Sequence, residues 1–160
     1  MKKIIFLFCM LLGIVQNLSA QSYNQDNRAL QNYIERMYKA SPFEGCRFID
    51  DYDKTYFISV VALNSAKYKS QQNMNRVAEV KSQQQSGEFF NGTQSFSEFV
   101  IKTPRSEQNG SASNIEETID VIKTNSTGYI RQMQVLTSFV HNNSVVFIYC
   151  KEATSNKNKL

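Results

Sequence analysis

The segment Thr55–Leu63 (TYFISVVAL) constrains the fold most, because it is almost continuously apolar and rich in aromatic and β-branched residues. Such residues favour strands, and an apolar run without polar alternation predicts a strand that is buried on both faces. A strand of this kind lies at the centre of a sheet whose faces are covered by other elements. The segment therefore predicts a layered domain built around a central strand.

Two helices are predicted around this strand. A spacing of three and four residues, with Asp26 as the cap, predicts an amphipathic helix that carries Ala29, Leu30, Tyr33, Ile34 and Met37 on one face. From Ser65 to about Phe90 the chain has no Pro and one Gly, which predicts a long helix that ends at Asn91 and Gly92. Its predicted buried face consists of Ala66, Ser70, Met74, Val77, Ala78 and Lys81.

Further strands are predicted at residues 47–50, 93–102, 129–140 and 145–151, with a hairpin turn at 141–144. Residues 105–113 have no apolar side chain larger than Ala, which predicts a mobile loop. Residues 114–124 fit two structures. Ile115, Ile119 and Ile122 fit a helix, whereas the many β-branched residues favour a strand, which we expect here.

These elements predict an α+β fold, a two-layer sandwich in which the long helix and the N-terminal helix pack on an antiparallel sheet. Residues 21–151 are expected to form a single domain, and residues 152–160 a polar tail.

Residues 1–20 resemble a secretion signal. Lys2 and Lys3 precede an apolar run of twelve residues, Ile4–Val15, and Ser19 and Ala20 supply the small residues expected before a cleavage site. The run is shorter than the ~20 residues of a membrane-spanning helix. We therefore expect an exported protein without an integral membrane span after cleavage, located in the periplasm or outside the cell, with outer-membrane association as a further alternative.

The charge is nearly balanced once this segment is removed. The chain of 160 residues has 18 basic and 14 acidic residues, and losing Lys2 and Lys3 leaves a net charge of +2. So small a charge does not predict binding to nucleic acid or to an anionic membrane surface.

Removal of the signal also removes Cys9, and Cys46 and Cys150 remain. In an oxidising compartment they are candidates for one structural disulfide, the alternative being two buried free thiols. Neither cysteine has a second metal ligand nearby in the sequence.

The sequence offers little catalytic or metal-binding chemistry. His141, the only histidine, falls in the predicted hairpin turn without a nucleophile motif. Two acidic groups are weighed: Asp50, Asp51 and Asp53 as Ca²⁺ ligands, and Glu116, Glu117 and Asp120 as paired carboxylates. The first lacks the spacing of a calcium loop and the second lacks a recognisable cleft. We expect no catalytic residue, cofactor or metal site.

The order of the later elements resembles the twenty-kilodalton membrane-associated lipoprotein family and the N-terminal domain of flagellar assembly protein T. The segments that carry the resemblance lie within about residues 55–151: FISVVAL, the helix ending in FFNG, SFSEFVIKT, and residues 115–151 with a break at Gly128. The resemblance implies a helix across an antiparallel sheet in a bacterial cell-envelope protein without catalytic residues. This chain lacks the lipidation cysteine of that family.

The sequence thus predicts an exported, non-enzymatic binding or assembly module whose partner is an envelope protein. A small secreted hydrolase and a periplasmic carrier of a small ligand are the alternatives.

Overall fold

A computed structural model describes residues 27–68, 70–92, 96–110 and 115–153. The predicted signal segment 1–20, the Asp26 cap and most of the predicted tail lie outside the described residues. The chain divides into two compact units, Met1–Pro42 and Phe43–Leu160.

The first unit contains helix α1, residues 27–40. Leu30, Ile34 and Tyr38 are its buried side chains, and their spacing of four residues gives the helix one apolar face. The sequence predicts Leu30 and Ile34 on this face but not Tyr38. Ala29, which the sequence placed on that face, is exposed.

The second unit is built on a five-stranded sheet. The strands are β1 (Gly45–Asp51), β2 (Lys54–Asn64), β3 (Val100–Lys102), β4 (Gln134–His141) and β5 (Ser144–Ala153). Their order across the sheet is β3-β1-β2-β5-β4. β2 is buried along almost its whole length between β1 and β5, which confirms the predicted central strand. The sheet is mixed, because β3 pairs in parallel with β1 and every other pair is antiparallel.

The helices of this unit are α2 (Gln71–Gly92), α3 (Pro104–Asn109), α4 (Ile115–Thr124) and α5 (Ser126–Arg131). Helices pack against the sheet, so the α+β class is confirmed. A short 3-10 helix, Ser65–Lys67, precedes α2, so the long helix begins six residues later than the sequence predicts.

Two hydrophobic clusters lie between α2 and one face of the sheet. The larger is mainly aromatic: Phe48 and Phe57 face each other across β1 and β2 with ring centroids 5.2 Å apart, and Phe89 and Phe90 at the end of α2 pack on both. The smaller contains Met74 and Ala78 of α2 with Val61, Leu63, Phe147 and Tyr149 of the sheet. We call this side of the sheet the helix face.

The stripe predicted for α2 is correct at Met74 and Ala78 and wrong at Lys81, which is exposed. Ala66 and Ser70 are exposed as well. The buried row continues instead through Ser82 and Ser86. Small hydroxyl side chains let the helix approach the sheet closely, and a hydropathy pattern does not mark them as buried.

The strand predicted over residues 114–124 is wrong from residue 115 onward, because residues 115–124 form α4. A helix aligns Thr118, Ile119 and Ile122 on one buried face, and both isoleucines join the aromatic cluster. The first turn carries Glu116 and Glu117, where acidic residues stabilise a helix.

The loop predicted over residues 105–113 is also wrong in its first half, which forms α3. Thr103 caps this helix by accepting a hydrogen bond from the Ser106 N–H, and Pro104 occupies the first turn, where its missing N–H costs nothing. Two predicted strands begin too early. The strand expected from residue 93 is limited to β3 after a 3-10 turn, and α5 occupies the start of the strand expected from Tyr129.

The last strand, β5, ends at Ala153, two residues into the predicted tail.

Candidate functional site

Cys46 and Cys150, the candidates for one disulfide, are both free thiols in the structure, which is the alternative that the sequence leaves open. Cys46 lies on the helix face, where its Sγ is 3.6 Å from Ser86 Oγ. Cys150 pairs in register with Ile58, whereas Cys46 pairs with Ser59, the adjacent residue of β2. Successive residues of a strand point to opposite faces, so the two thiols lie on opposite sides of the sheet. Burial raises the pKa of Cys46 to about 11, which makes its thiol unreactive at neutral pH.

His141 lies at the opposite end of β5 from the helix that carries Glu116 and Glu117. It is the last residue of β4 and pairs with Ser144 at the start of β5, beside the hairpin turn. Helix α4, which carries Glu116 and Glu117, packs in the cluster that contains Ala153 at the other end of β5. Ten residues of strand separate these ends by ~30 Å.

Asp50 and Asp51 end β1 and Asp53 follows in the turn, and the three side chains have different surroundings. Asp50 is completely buried and its two carboxyl oxygens have no hydrogen-bond partner. Asp51 Oδ1 accepts a hydrogen bond from Thr103 Oγ1 at 2.7 Å, and Asp53 lies 3.8 Å from Arg105 Nη2. Within the described ranges, no three His, Cys, Asp or Glu side chains form a group that could hold a metal ion.

A groove between α2 and strands β4 and β5 is the strongest candidate site in the second unit. It has a volume of about 510 Å³ and is open to solvent along one side. The polar lining residues are Gln71, Asn75, Glu79, Gln134, Ser138 and Tyr149, and the apolar ones are Met133, Val135 and Phe147. Its size lies in the range of ligand-binding sites.

One wall of the groove is a polar row on α2. Gln71, Asn75 and Glu79 are spaced by four residues, so they lie above one another on the same side of the helix. The Gln71 side-chain amide donates a hydrogen bond to Asn75 Oδ1 at 2.8 Å, which orients both side chains. Glu79 lies eight positions after Gln71, so the row extends ~12 Å along the helix axis.

The other wall and the floor come from strands β4 and β5. Val135 pairs with Tyr149 and Ser138 pairs with Phe147, so these four side chains share the helix face. Beyond them Val140 pairs with Val145. Val140 is 73% exposed and Val135 is 53% exposed, and they are two of the three large hydrophobic residues that the described structure exposes most. The floor therefore continues into an apolar strip at the surface.

Among the described residues that line the groove, Glu79 is the only charged one. It forms no ion pair with any described residue. Burial and, to a smaller extent, the negative charge of Glu79 raise the pKa of Tyr149 to about 12, so this phenol adds no charge to the groove at neutral pH.

The sequence did not predict this site. The buried face predicted for the long helix does not include Asn75 or Glu79, and no role is predicted for Val135 or Ser138. One signal was present, the polar residues at positions 71, 75 and 79. It does not show which strand this face of the helix meets, and that relationship creates the groove.

Across the described residues, no helix combines the length and apolar character needed to cross a membrane. The chain matches no family model, no curated protein and no solved structure. The resemblance to the twenty-kilodalton membrane-associated lipoprotein family therefore stays a prediction.

Proposed function

We propose that this protein is an exported, non-enzymatic binding module of the bacterial cell envelope that holds an extended segment of a partner protein in the groove between α2 and β4. The observation that carries this proposal is the open groove itself, which joins an apolar floor to a row of side-chain amides.

The chemistry of the groove is complementary to a polypeptide backbone. Gln71, Asn75 and Gln134 each offer a hydrogen-bond donor and an acceptor, as the backbone of an extended segment does. Val135, which is 53% exposed, supplies apolar surface on which a side chain of the segment can pack.

The length of the groove also suits a short extended segment. The wall from Gln71 to Glu79 extends ~12 Å, which about four residues of extended chain would cover. The open side lets a longer chain enter and leave at both ends. Specificity would therefore come from a few side chains, with the rest of the partner outside.

The proposed location rests on the amino-terminal sequence, which predicts export, and on the family resemblance, which implies the bacterial cell envelope. An envelope protein is accordingly the proposed partner.

The test uses selection from a library of short random peptides displayed on phage, with the purified protein as the bait. Ser138→Trp would fill the groove from its exposed strand, and Gln83→Trp places the same side chain on the exposed side of α2. We expect the selected peptides to bind the Gln83→Trp protein as they bind the wild type and to lose binding to the Ser138→Trp protein. Peptides that bind both variants equally, or a selection that enriches nothing, would refute the proposal.

A carrier of a small ligand is the second candidate, favoured by the volume of the groove, which also fits a small molecule. A small organic molecule that co-purifies with the wild type and is lost in Ser138→Trp would favour this alternative.

A further inference from the structure

We propose that the outer edge of β4 is a pairing site for a second copy of this chain, with the two β4 strands antiparallel about a twofold axis at Phe139. The sheets of the two copies then join into one continuous sheet. The pairing uses the backbone edge of β4 and goes beyond the proposed function, which uses the groove.

The composition of β4 leaves this edge open to pairing. Within the part of the chain that the structure describes, β4 pairs with β5 and with no other strand. Edge strands commonly carry charged residues or proline, which discourage pairing with another chain. Residues 134–141 contain no Lys, Arg, Asp, Glu or Pro. Val135 is 53% exposed and Val140 is 73% exposed, so apolar surface lies beside the edge.

The opposite edge of the sheet is built differently. Its strand, β3, has three residues, Val100–Lys102. A 3-10 helix ends directly before it, and Thr103, the cap of α3, follows directly after it. So short a strand offers few backbone groups to another chain. Of the two edges, β4 is therefore the one suited to strand pairing.

The β4–β5 hairpin determines which backbone groups face the outer edge. His141 and Ser144 flank the two turn residues and form the hydrogen-bonded pair that closes the hairpin. Hydrogen-bonded and non-hydrogen-bonded pairs alternate along an antiparallel ladder. Val140 and Ser138 therefore occupy non-hydrogen-bonded positions, and their N–H and C=O groups point away from β5.

These outward groups are complementary to those of a second β4 strand. A twofold axis at Phe139 places Ser138 of each copy opposite Val140 of the other. Both pairs are then hydrogen-bonded, so they use the outward N–H and C=O groups of all four residues. The register shift between Val135 and Thr137 lies outside this region.

Neighbouring registers use fewer of these groups. An axis at Ser138 places Val140 opposite Leu136, which lies within the register shift. An axis at Val140 places Ser138 opposite Asn142, a turn residue with a φ of 46°. The regular part of β4, residues 137–141, has Phe139 as its midpoint and therefore favours the axis there.

The side chains are compatible with the same register. Val140 lies beside Ser138 of the second copy, so its exposed surface becomes covered. The two copies of Phe139 lie opposite each other on the other face of the sheet, an arrangement that stabilises strand pairs. His141 lies opposite Thr137, so no two titratable side chains oppose each other.

Sedimentation velocity of the purified protein over a range of concentrations tests the pairing. We expect the wild type to show a monomer–dimer equilibrium. Val140→Lys should raise the dissociation constant by about tenfold, because each copy loses apolar surface and gains a charge at the edge. Val80→Lys makes the same change on α2, at a position that is 63% exposed, and should leave the dissociation constant unchanged.

Ser138→Pro isolates the backbone hydrogen bonds. Proline lacks the N–H that points toward the second copy, whereas the hydrogen bonds to β5 use the neighbouring residues. This variant should sediment as a monomer and keep the circular dichroism spectrum of the wild type. If it does not fold, the two lysine variants still decide whether the edge forms the dimer.

Cysteine substitutions test the register. Opposed residues in a non-hydrogen-bonded pair have Cα atoms about 4.5 Å apart, which a disulfide can span. Phe139→Cys should therefore form a disulfide between two copies under mild oxidation, identified by mass spectrometry of the linked peptides. Val135→Cys should not, because in this register its two copies lie more than ~20 Å apart.

A wild type that is a monomer at every concentration overturns the inference. A dimer that Val140→Lys and Val80→Lys weaken equally, or that neither weakens, overturns it as well, and so does a disulfide that forms as readily with Val135→Cys as with Phe139→Cys. Peptide binding in the groove is measured separately, so a monomer that binds selected peptides leaves the proposed function in place.

Discussion

Cys46 and Cys150 lie on opposite faces of the sheet, on strands that are separated by β2. Two strand spacings separate their backbones by about 9.6 Å, beyond the Cα separation that a disulfide spans. Their partners on β2, Ser59 and Ile58, are adjacent residues that point to opposite sides. A bridge would require one of these strands to leave the sheet.

We therefore predict that the folded protein has two free thiols even after oxidative refolding. Mass spectrometry of the alkylated, non-reduced protein should count two modified cysteines after denaturation, and a reducing agent should not change the melting temperature. A cross-linked Cys46–Cys150 peptide from folded protein would contradict the arrangement of β1, β2 and β5.

Stability should fall at alkaline pH because these thiols are buried. Burial raises the pKa of Cys46 from 9.0 to about 11, and burial together with the negative charge of Glu152 raises that of Cys150 to about 12. Between pH 9 and 11 the unfolded chain loses these protons and the folded chain keeps them, so rising pH favours unfolding. Below pH 9 both the folded and the unfolded chain keep these protons, so the thiols make their full contribution to the free energy of unfolding.

The measurement is the free energy of unfolding in urea at a series of pH values. For Cys46 alone a pKa difference of about two units corresponds to on the order of 3 kcal/mol. Cys46→Ala should make the decrease above pH 9 shallower. A wild-type stability that stays constant up to pH 11 would show that the thiols are solvated.

The central part of the fold could be predicted from the sequence because its pattern has one solution. Thr55–Leu63 is too apolar to be solvated on either side, and only the middle of a sheet buries both faces of a strand. The spacing of three and four residues that predicts α1 is a similarly local signal. It does not depend on which partner covers the helix.

Residues 115–124 could not be assigned in this way. Their isoleucines satisfy a helix or a strand, and the aromatic cluster of Phe89, Phe90 and Phe96 decides between the two. The groove is still less accessible from sequence, because it exists only where α2 leaves part of the helix face uncovered. Its residues come from α2 and from the β4–β5 hairpin, and the nearest of them in sequence, Glu79 and Met133, are 54 positions apart.

The buried hydroxyls between α2 and the sheet should stabilise the protein as a network. Ser59 Oγ accepts hydrogen bonds from Ser82 Oγ at 2.8 Å and from Gln85 Nε2 at 2.6 Å. Ser59→Ala removes the acceptor of both hydrogen bonds and leaves the buried Ser82 hydroxyl without its acceptor. We therefore expect the free energy of unfolding to fall by about 1–3 kcal/mol. Ser82→Ala should lower the free energy of unfolding by less, because Ser59 keeps its hydrogen bond from Gln85.

Urea unfolding of both single variants and the double variant tests this network. Because the two hydroxyls contact each other, the double variant should lose less stability than the sum of the single losses. Strictly additive losses would mean that the hydroxyls act independently and that the contact contributes nothing.

The turn between β4 and β5 should tolerate glycine and reject a β-branched residue. Asn142 (φ 46°) and Asn143 (φ 62°) both adopt the left-handed backbone conformation, which glycine adopts without strain and valine does not. Asn143→Gly should leave the free energy of unfolding unchanged or slightly higher, and Asn143→Val should lower it by about 1–2 kcal/mol. Both variants keep the backbone carbonyl of residue 143 that accepts hydrogen bonds from Ser65, so the difference between them in urea unfolding reports the backbone conformation alone. Equal stabilities of the Gly and Val variants would mean that the hairpin uses a different turn, which would also change the register that places Val140 opposite Val145.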